Sequence, residues 1–299
     1  MAALPRASAS LIVTAPHQSI AHNYRVLLVQ RVSKGGNFDG AHVFPGGIEE
    51  DQDHSNSQML SCDAHKLCAI RETFEETGLL FTTPIRGQLS LLDIARDQPF
   101  HAICAKAEAQ PLDPHLFARW ITPRAQSARF DTRFYMLNIA NDNEFLLNQL
   151  ASGSVQTKEL VKMGWFSPSD VLQANMRGEM PLFPPQFSIL HEMSRYKRWQ
   201  DLAARYSGGS TAETAAIESH PVEPVLRKRS DGAVVALLPG DVKHGEDVDD
   251  DDLFCIQQVA RGKLRRLTMR PTTRAGSGGF EAISLIQTAG PIAGTTPHL

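Results

Sequence analysis

The sequence lacks the features that mark several common classes of protein. Its four cysteines form no C-x-x-C pair, so neither a zinc site nor a disulfide framework is indicated. No run approaches the roughly eighteen apolar residues of a membrane span, and the amino-terminal stretch lacks the basic and apolar regions of a signal peptide. We therefore expect a soluble globular protein of a reducing, intracellular compartment.

An excess of charge of one sign is also missing. The 299 residues carry a formal net charge of −3, so a generally basic surface for nucleic acid is not predicted. There is no G-x-S-x-G elbow, no H-E-x-x-H zinc motif and no G-x-x-x-x-G-K-[ST] phosphate loop. Serine hydrolases of that type, zinc proteases and P-loop enzymes are therefore not indicated.

What the sequence does contain is an amphipathic segment that ends near Gly78. Apolar residues recur at offsets of three and four and predict a helix with one core-facing stripe. The members of this stripe are Leu67, Ile70 and Phe74. Ser61 or Asp63 can cap the start of the helix, and Gly78 stands where a left-handed cap would end it.

The opposite side of the same helix concentrates negative charge. Glu72, Glu75 and Glu76 lie at i, i+3 and i+4, and Arg71 can balance only one of them. Hard oxygen ligands without a histidine or cysteine partner favour Mg²⁺ or Mn²⁺, which usually bridge carboxylates to substrate phosphates. The cluster therefore predicts a divalent cation beside a phosphate, with water attacking phosphorus and Glu72 or a neighbouring carboxylate as its base.

Two glycines precede this helix. The short strand predicted over 41–44 leads to Gly46 and Gly47, which permit a close approach of the backbone that a side chain would prevent. "GG" followed by "REtfEEtGL" resembles the Nudix box, G-x5-E-x7-R-E-U-x-E-E-x-G-U, where U is a bulky aliphatic residue. Counting back from Arg71 assigns Asp63 to the first glutamate of the box. Fifteen residues then separate Gly47 from Asp63 where the family has five, so we expect an inserted polar loop.

Further segments sharpen the resemblance. "WITP…RFDTRFYML", "ELVKMGWFSPSDVL" and "PLFPPQFSIL" are similar to the CoA and acyl-CoA diphosphatase branch of the Nudix hydrolases, which includes mammalian peroxisomal enzymes. The similarity covers roughly residues 11–206. It implies an α/β (α+β) fold, the Nudix-type α/β/α sandwich with a mixed sheet. It also implies hydrolysis of CoA or acyl-CoA to 3′,5′-ADP and 4′-phosphopantetheine.

The resemblance assigns roles to individual residues. The metal ligands for Mg²⁺ or Mn²⁺ would be Glu72, Glu75 and Glu76, and the catalytic residues Glu72, Arg71 and Glu159. Glu159 precedes Trp165, in a region where many Nudix enzymes supply a further ligand or base. The expected substrate-binding residues are Gly46 and Gly47, with Arg31, Lys34, Arg129 and Arg133 as candidate cations for the 3′-phosphate of CoA.

Two other functions stay open at this point. One is a Nudix enzyme acting on ADP-ribose, NADH or a biosynthetic diphosphate. The other is a catalytically silent module that binds a nucleotide, although a pure binder has no need for three mutually repelling glutamates. Neither a nucleic-acid partner nor a membrane span is expected, and the sequence does not determine the oligomeric state.

The chain divides into three predicted regions. Residues 1–206 form the Nudix domain, with insertions near 48–62 and 90–119, the second expected to be a helical passage broken by prolines. A small polar linker follows at 207–220, and 221–299 forms a small β-rich appendage. The final tripeptide Pro297-His298-Leu299 resembles a degenerate S-K-L signal, so a cytoplasmic or peroxisomal location is predicted.

Overall fold

The computed structural model describes residues 3–17, 22–31, 40–83, 98–106, 108–139, 160–206, 211–244, 264–272 and 279–287. The helices are α1 (Asp51–Ser57), α2 (Ala64–Thr77), α3 (Phe100–Lys106), α4 (Pro168–Met176), α5 (Pro184–Ser194), α6 (Trp199–Tyr206) and α7 (Thr211–Ser219). The first seven strands are β1 (Arg6–Pro16), β2 (Tyr24–Arg31), β3 (His42–Val43), β4 (Gly46–Ile48), β5 (His115–Ile121), β6 (Phe130–Asn138) and β7 (Leu160–Phe166). The others are β8 (Val225–Lys228), β9 (Val234–Leu237), β10 (Arg265–Pro271) and β11 (Phe280–Gln287).

Strands β1 to β7 form a mixed sheet. Its order is β3-β2-β1-β6-β5, with β4 pairing with β1 and β7 pairing with β2. β1 and β6 run parallel, whereas β1 is antiparallel to both β2 and β4. The unbroken aliphatic run in β1 suits a strand that is covered on both faces, and its residues from Ser8 to Ala15 are buried. The predicted mixed α/β fold is therefore confirmed.

Helix α2 covers one face of this sheet. The predicted stripe of Leu67, Ile70 and Phe74 is buried and packs with β1 residues such as Leu11 and Val13. The Asp63 carboxylate accepts a hydrogen bond from His65 N at 3.0 Å at the start of the helix. Gly78 ends it in the left-handed conformation, with φ of 72°. Both ends of α2 are thus set by local sequence.

The other face packs against α4, α5 and a second sheet. This sheet has the order β11-β10-β9-β8 and confirms the strands predicted near the carboxyl end. Its residues Leu267 and Ile283 share one apolar core with Ile12 and Phe134 of the first sheet. An isolated bridge from Leu182 to Phe280 also joins the two parts of the chain. The expected appendage therefore shares an apolar core with the first sheet.

Three segments differ from the sequence-based expectation. The insertion near 48–62 contains helix α1, which begins with a reciprocal capping box between Glu50 and Asp53. Within the passage expected to be helical, residues 115–121 form β5, because this segment pairs along β6. The predicted linker contains α7, whose alanine-rich sequence favours a helix. In the described part of the chain, no helix is long and apolar enough to cross a membrane.

Candidate active site

The turn formed by Gly46 and Gly47 lies directly against the acidic face of α2. Gly46 N donates a hydrogen bond to Glu76 Oε2 at 3.0 Å. A Cβ atom on Gly46 would lie 2.4 Å from Ala9 O, and one on Gly47 would lie 2.3 Å from Glu72 Cδ. Gly46 therefore requires glycine, because its backbone closely approaches that of β1, whereas a side chain at Gly47 would displace the Glu72 carboxylate.

Arg71 organises the carboxylates at the centre of the site. Its Nη1 donates to Glu72 Oε1 and to Glu75 Oε2, each at 3.0 Å. Its Nε and Nη2 donate to the two carboxylate oxygens of Asp53, at 2.7 and 2.9 Å. Burial disfavours the charged guanidinium, but the hydrogen bonds to Asp53 and the negative charges of Glu72 and Asp53 together outweigh burial and raise the pKa of Arg71. Arg71 is therefore a permanent cation between two groups of anions.

Asp53 is the functional residue that sequence reasoning missed. Counting back from Arg71 assigned the first glutamate position of the box to Asp63, but the structure corrects this. Asp63 caps α2, whereas Asp53 pairs with Arg71. Counting forward from Gly47 reaches Asp53 after five residues, which is the spacing in the family pattern. The extra ten residues lie between Asp53 and α2, where they leave the ion pair intact.

Two of the carboxylates hold a proton more tightly than exposed glutamates do. Burial raises the pKa of Glu72 to about 7, Arg71 opposes this effect, and the charge of Glu75 adds to it. Burial also raises the pKa of Glu75, again against the effect of Arg71. A carboxyl group whose pKa lies near neutrality can both accept and release a proton at physiological pH. Glu72 therefore gains and loses its proton nearer to neutral pH than an exposed glutamate does.

The site suits a hard divalent cation. Within the described residues, no group of three or more histidine, cysteine, aspartate or glutamate side chains is arranged so that it could hold a metal ion. Glu72 and Glu75 instead share one nitrogen of Arg71, and Glu76 is bonded to Gly46. Mg²⁺ usually needs only one or two carboxylates, with water and substrate phosphate completing its shell. The donors at this site fit that pattern, and the three-glutamate ligand set stays a prediction.

Two of the predicted substrate-binding arginines pair with carboxylates that do not belong to this cluster. Arg129 is buried and donates to Ala3 O, Thr122 O and Glu223. Arg133 donates to both carboxylate oxygens of Glu218. The side chain of Arg31 and the whole of Lys34 and Glu159 lie outside the described residues. The roles predicted for these residues in catalysis or substrate binding stay predictions.

Comparison with known proteins agrees with the motif. Residues 57–195 match the family model of the NUDT19 Nudix domain. The human acyl-coenzyme A diphosphatase NUDT19 is 27% identical over 293 residues, covering 77% of this chain and 74% of the relative. A putative nudix hydrolase 7 from Caenorhabditis elegans is 26% identical over 262 residues, covering 83% and 77%.

A solved structure agrees at the level of the fold. A NUDIX hydrolase from Alicyclobacillus acidocaldarius superposes with a TM-score of 0.54 at 23% identity, covering 68% of this chain and 96% of that chain. The resemblance to the acyl-CoA diphosphatase branch, first seen in short motifs, thus extends over most of the sequence. The family-model match over residues 57–195 and the relatives therefore support a Nudix hydrolase, and the solved structure agrees with this at the level of the fold.

Proposed function

We propose that this enzyme hydrolyses the diphosphate bond of CoA or an acyl-CoA, with Mg²⁺ or Mn²⁺ as its cofactor. The observation that carries the proposal is buried Arg71, which gathers Glu72 and Glu75 beside the Gly46–Gly47 turn. The names of the relatives, acyl-coenzyme A diphosphatase, support the substrate class. The products would be 3′,5′-ADP and the (acyl-)4′-phosphopantetheine.

Each residue of the cluster has a role in this proposal. Glu72, Glu75 and Glu76 would hold the cation, which supplies charge neutralisation for the diphosphate when it is bound. Arg71 fixes the directions of the Glu72 and Glu75 carboxylates and limits their mutual repulsion. Glu72 or a neighbouring carboxylate accepts the proton of the attacking water.

Product analysis tests the substrate. Purified protein is incubated with CoA, acyl-CoAs, ADP-ribose or NADH, in Mg²⁺, in Mn²⁺ or in chelator, and the products are identified by mass spectrometry. We expect 3′,5′-ADP from the CoA compounds, formed faster than any product of the other two substrates and only when metal is present. Faster cleavage of ADP-ribose or NADH would replace the CoA proposal with the alternative Nudix activity. An absence of hydrolysis would favour a silent binding module.

Glu75→Gln tests the cluster itself. Replacing one carboxylate by an amide removes a charged ligand, so we expect turnover to fall roughly 10²-fold or more while the protein stays folded. Steady-state kinetics and circular dichroism measure the two effects. Glu179→Gln is the matched control, because Glu179 is exposed and pairs with Arg177 away from the cluster. Normal turnover of Glu75→Gln would show that Glu75 is not part of the catalytic machinery.

The proposed location is cytoplasmic or peroxisomal. It depends on the cysteine usage of the sequence and on the tripeptide 297–299, which lies outside the described residues. Imaging of the tagged full-length chain, with and without these three residues, distinguishes the two compartments.

A further inference from the structure

A row of four residues crosses the sheet beside the carboxylate cluster. The pairing of β4, β1, β6 and β5 places Gly47, Ala9, Arg133 and Arg119 opposite one another in turn. Residues that face each other across paired strands project on the same side of a sheet. Ala9 packs into the core beneath α2, so both arginines project on the side that carries α2. With strands spaced ~4.8 Å apart, the backbone of Arg133 is about 10 Å from that of Gly47.

The two guanidinium groups converge on a single carboxylate. Arg133 donates from Nε and Nη2 to the two oxygens of Glu218, at 2.7 and 2.9 Å. Arg119 Nη1 donates to Glu218 Oε2 at 3.1 Å and to the Glu218 carbonyl oxygen at 2.5 Å. Arg119 also donates from Nε and Nη2 to the two carboxylate oxygens of Asp131, at 2.8 and 2.6 Å. Asp131 neutralises one cation, so the remaining positive charge is balanced by Glu218.

Glu218 belongs to a helix that is weakly anchored. None of the nine residues of α7 is buried. The Glu218 side chain is 32% exposed, whereas those of Arg133 and Arg119 are 12% and 19% exposed. A second ion pair, between Glu213 and Arg205 at 3.0 Å, holds the beginning of the helix. Contacts of this kind are weakened by competing anions, because little apolar surface supports them.

We propose that Arg119 and Arg133 form a binding site for a phosphate monoester and that Glu218 is an internal anion occupying this site. A phosphate dianion presents two oxygens to an arginine as a carboxylate does, and it carries more charge. The ligand class is a nucleotide that carries a phosphate monoester in addition to the diphosphate at α2. Binding of such a ligand displaces the Glu218 side chain from the two arginines. This inference rests on the proposed function, because CoA carries a 3′-phosphate in addition to its diphosphate.

The experiment compares two substrates that differ only in this phosphate. CoA and dephospho-CoA are hydrolysed by wild type, Glu218→Gln, Arg133→Gln and the matched control Glu213→Gln. The control removes the other charge of α7 without touching the two arginines. The readout is the ratio of the KM for CoA to the KM for dephospho-CoA. A general change in the enzyme alters both KM values alike, so the ratio reports only the contribution of the 3′-phosphate.

The proposal predicts opposite shifts in the two variants. Removing the internal anion in Glu218→Gln lowers the ratio about threefold or more, because the 3′-phosphate of CoA no longer has to displace the Glu218 carboxylate from the two arginines. Removing a charged donor in Arg133→Gln raises it roughly tenfold or more. Glu213→Gln leaves the ratio at the wild-type value. If Glu218→Gln does not fold, Glu218→Asp replaces it, and a ratio below that of wild type is still expected.

A purely structural salt bridge gives a different result. It would lower the melting temperature of both variants and change the KM values for CoA and dephospho-CoA by the same factor. A KM ratio that stays at the wild-type value in both variants would therefore overturn the proposal. Binding of adenosine 3′,5′-bisphosphate and of AMP, measured by calorimetry without metal, separates this failure from failure of the proposed function. If neither CoA compound is hydrolysed, tighter binding of the bisphosphate by Glu218→Gln than by wild type still supports the site. Equal binding of the bisphosphate by wild type, Glu218→Gln and Arg133→Gln overturns it.

Discussion

At the scale of single residues, the ion pair between Asp53 and Arg71 determines the geometry of the acidic site. The two side chains are only 1% and 3% exposed. A charge buried this deeply is tolerated only while its partner is present, and removing one partner typically costs ~3–5 kcal/mol. The same arginine also orients Glu72 and Glu75. Stability and catalysis are therefore coupled at Asp53.

Asp53→Asn tests this coupling. We expect the free energy of unfolding to fall by about 3 kcal/mol and turnover to fall with it, because Arg71 loses its compensating charge. Urea unfolding and steady-state kinetics measure the two effects. Asp63→Asn is the control, since asparagine caps a helix as well as aspartate does. Loss of activity in Asp63→Asn with none in Asp53→Asn would restore the assignment made by counting back from Arg71.

Gly47→Ala probes the close approach of the turn to Glu72. The added methyl group would lie 2.3 Å from Glu72 Cδ, which is the end of a flexible side chain. We expect Glu72 to swing away, so that the variant folds but hydrolyses its substrate roughly 10²-fold more slowly. Gly46→Ala is predicted to lose the fold instead, because its Cβ would meet the backbone of Ala9. Thermal unfolding and kinetics of both variants distinguish the two outcomes, and a fully active Gly47→Ala would contradict the close packing.

At the scale of elements, local pattern predicted some parts of the fold well and others poorly. The caps and stripe of α2 are local features, and the sequence predicted them correctly. Helix α1 was not expected, because its polar residues show no apolar stripe and it is held by the capping of Glu50 and the pairing of Asp53. The local pattern predicts a helical passage where β5 lies. The residues of β5 form a strand because they pair with β6, and a local pattern does not show this pairing.

The hairpin of β5 and β6 provides a test that uses pH. Burial raises the pKa of Asp131, but the hydrogen bonds and charge of Arg119 outweigh it, so the net shift is below the ordinary value of 3.8. A lowered acid pKa contributes stability above about pH 4, and this stability is lost as the pH falls through the folded-state pKa. We expect Asp131→Asn to lower the melting temperature at pH 6 and to approach wild type near pH 3.

Thermal melts between pH 6 and pH 3 measure this difference. Asp201→Asn serves as the control, because the Asp201 side chain is 56% exposed. A gap between wild type and Asp131→Asn that stays constant down to pH 3 would show that the ion pair does not set the acid stability.

At the scale of the whole molecule, the two sheets share one apolar core. Leu267 and Met269 of the second sheet lie in the same apolar core as Ile12 and Phe134 of the first. The strands themselves were predictable from turns such as Asp231-Gly232. The shared core was not predictable, because it joins segments that lie far apart in the chain. A local pattern shows that each strand has an apolar face, but it does not show which other strand that face contacts. The domain division at 206 stays a prediction, and it does not mark a gap in packing.

Leu267→Ala tests whether unfolding is cooperative across the two sheets. Leu267 is fully buried, so we expect its truncation to cost about 3 kcal/mol. All three tryptophans precede residue 206, and their fluorescence therefore reports only on the predicted Nudix domain. We expect this fluorescence and far-ultraviolet circular dichroism to shift together to lower urea. Leu4→Ala, at a residue that is 90% exposed, is the control. Two separate transitions, with the fluorescence midpoint unchanged, would indicate independent domains.

The bridge between Leu182 and Phe280 has a consequence for synthesis on the ribosome. The enzyme half emerges first, yet part of its apolar surface has no cover until the last strand of the second sheet leaves the exit tunnel. Nascent chains expose such surface for as long as translation of the remainder takes, and a chaperone that shields it during that interval would raise the yield of active enzyme.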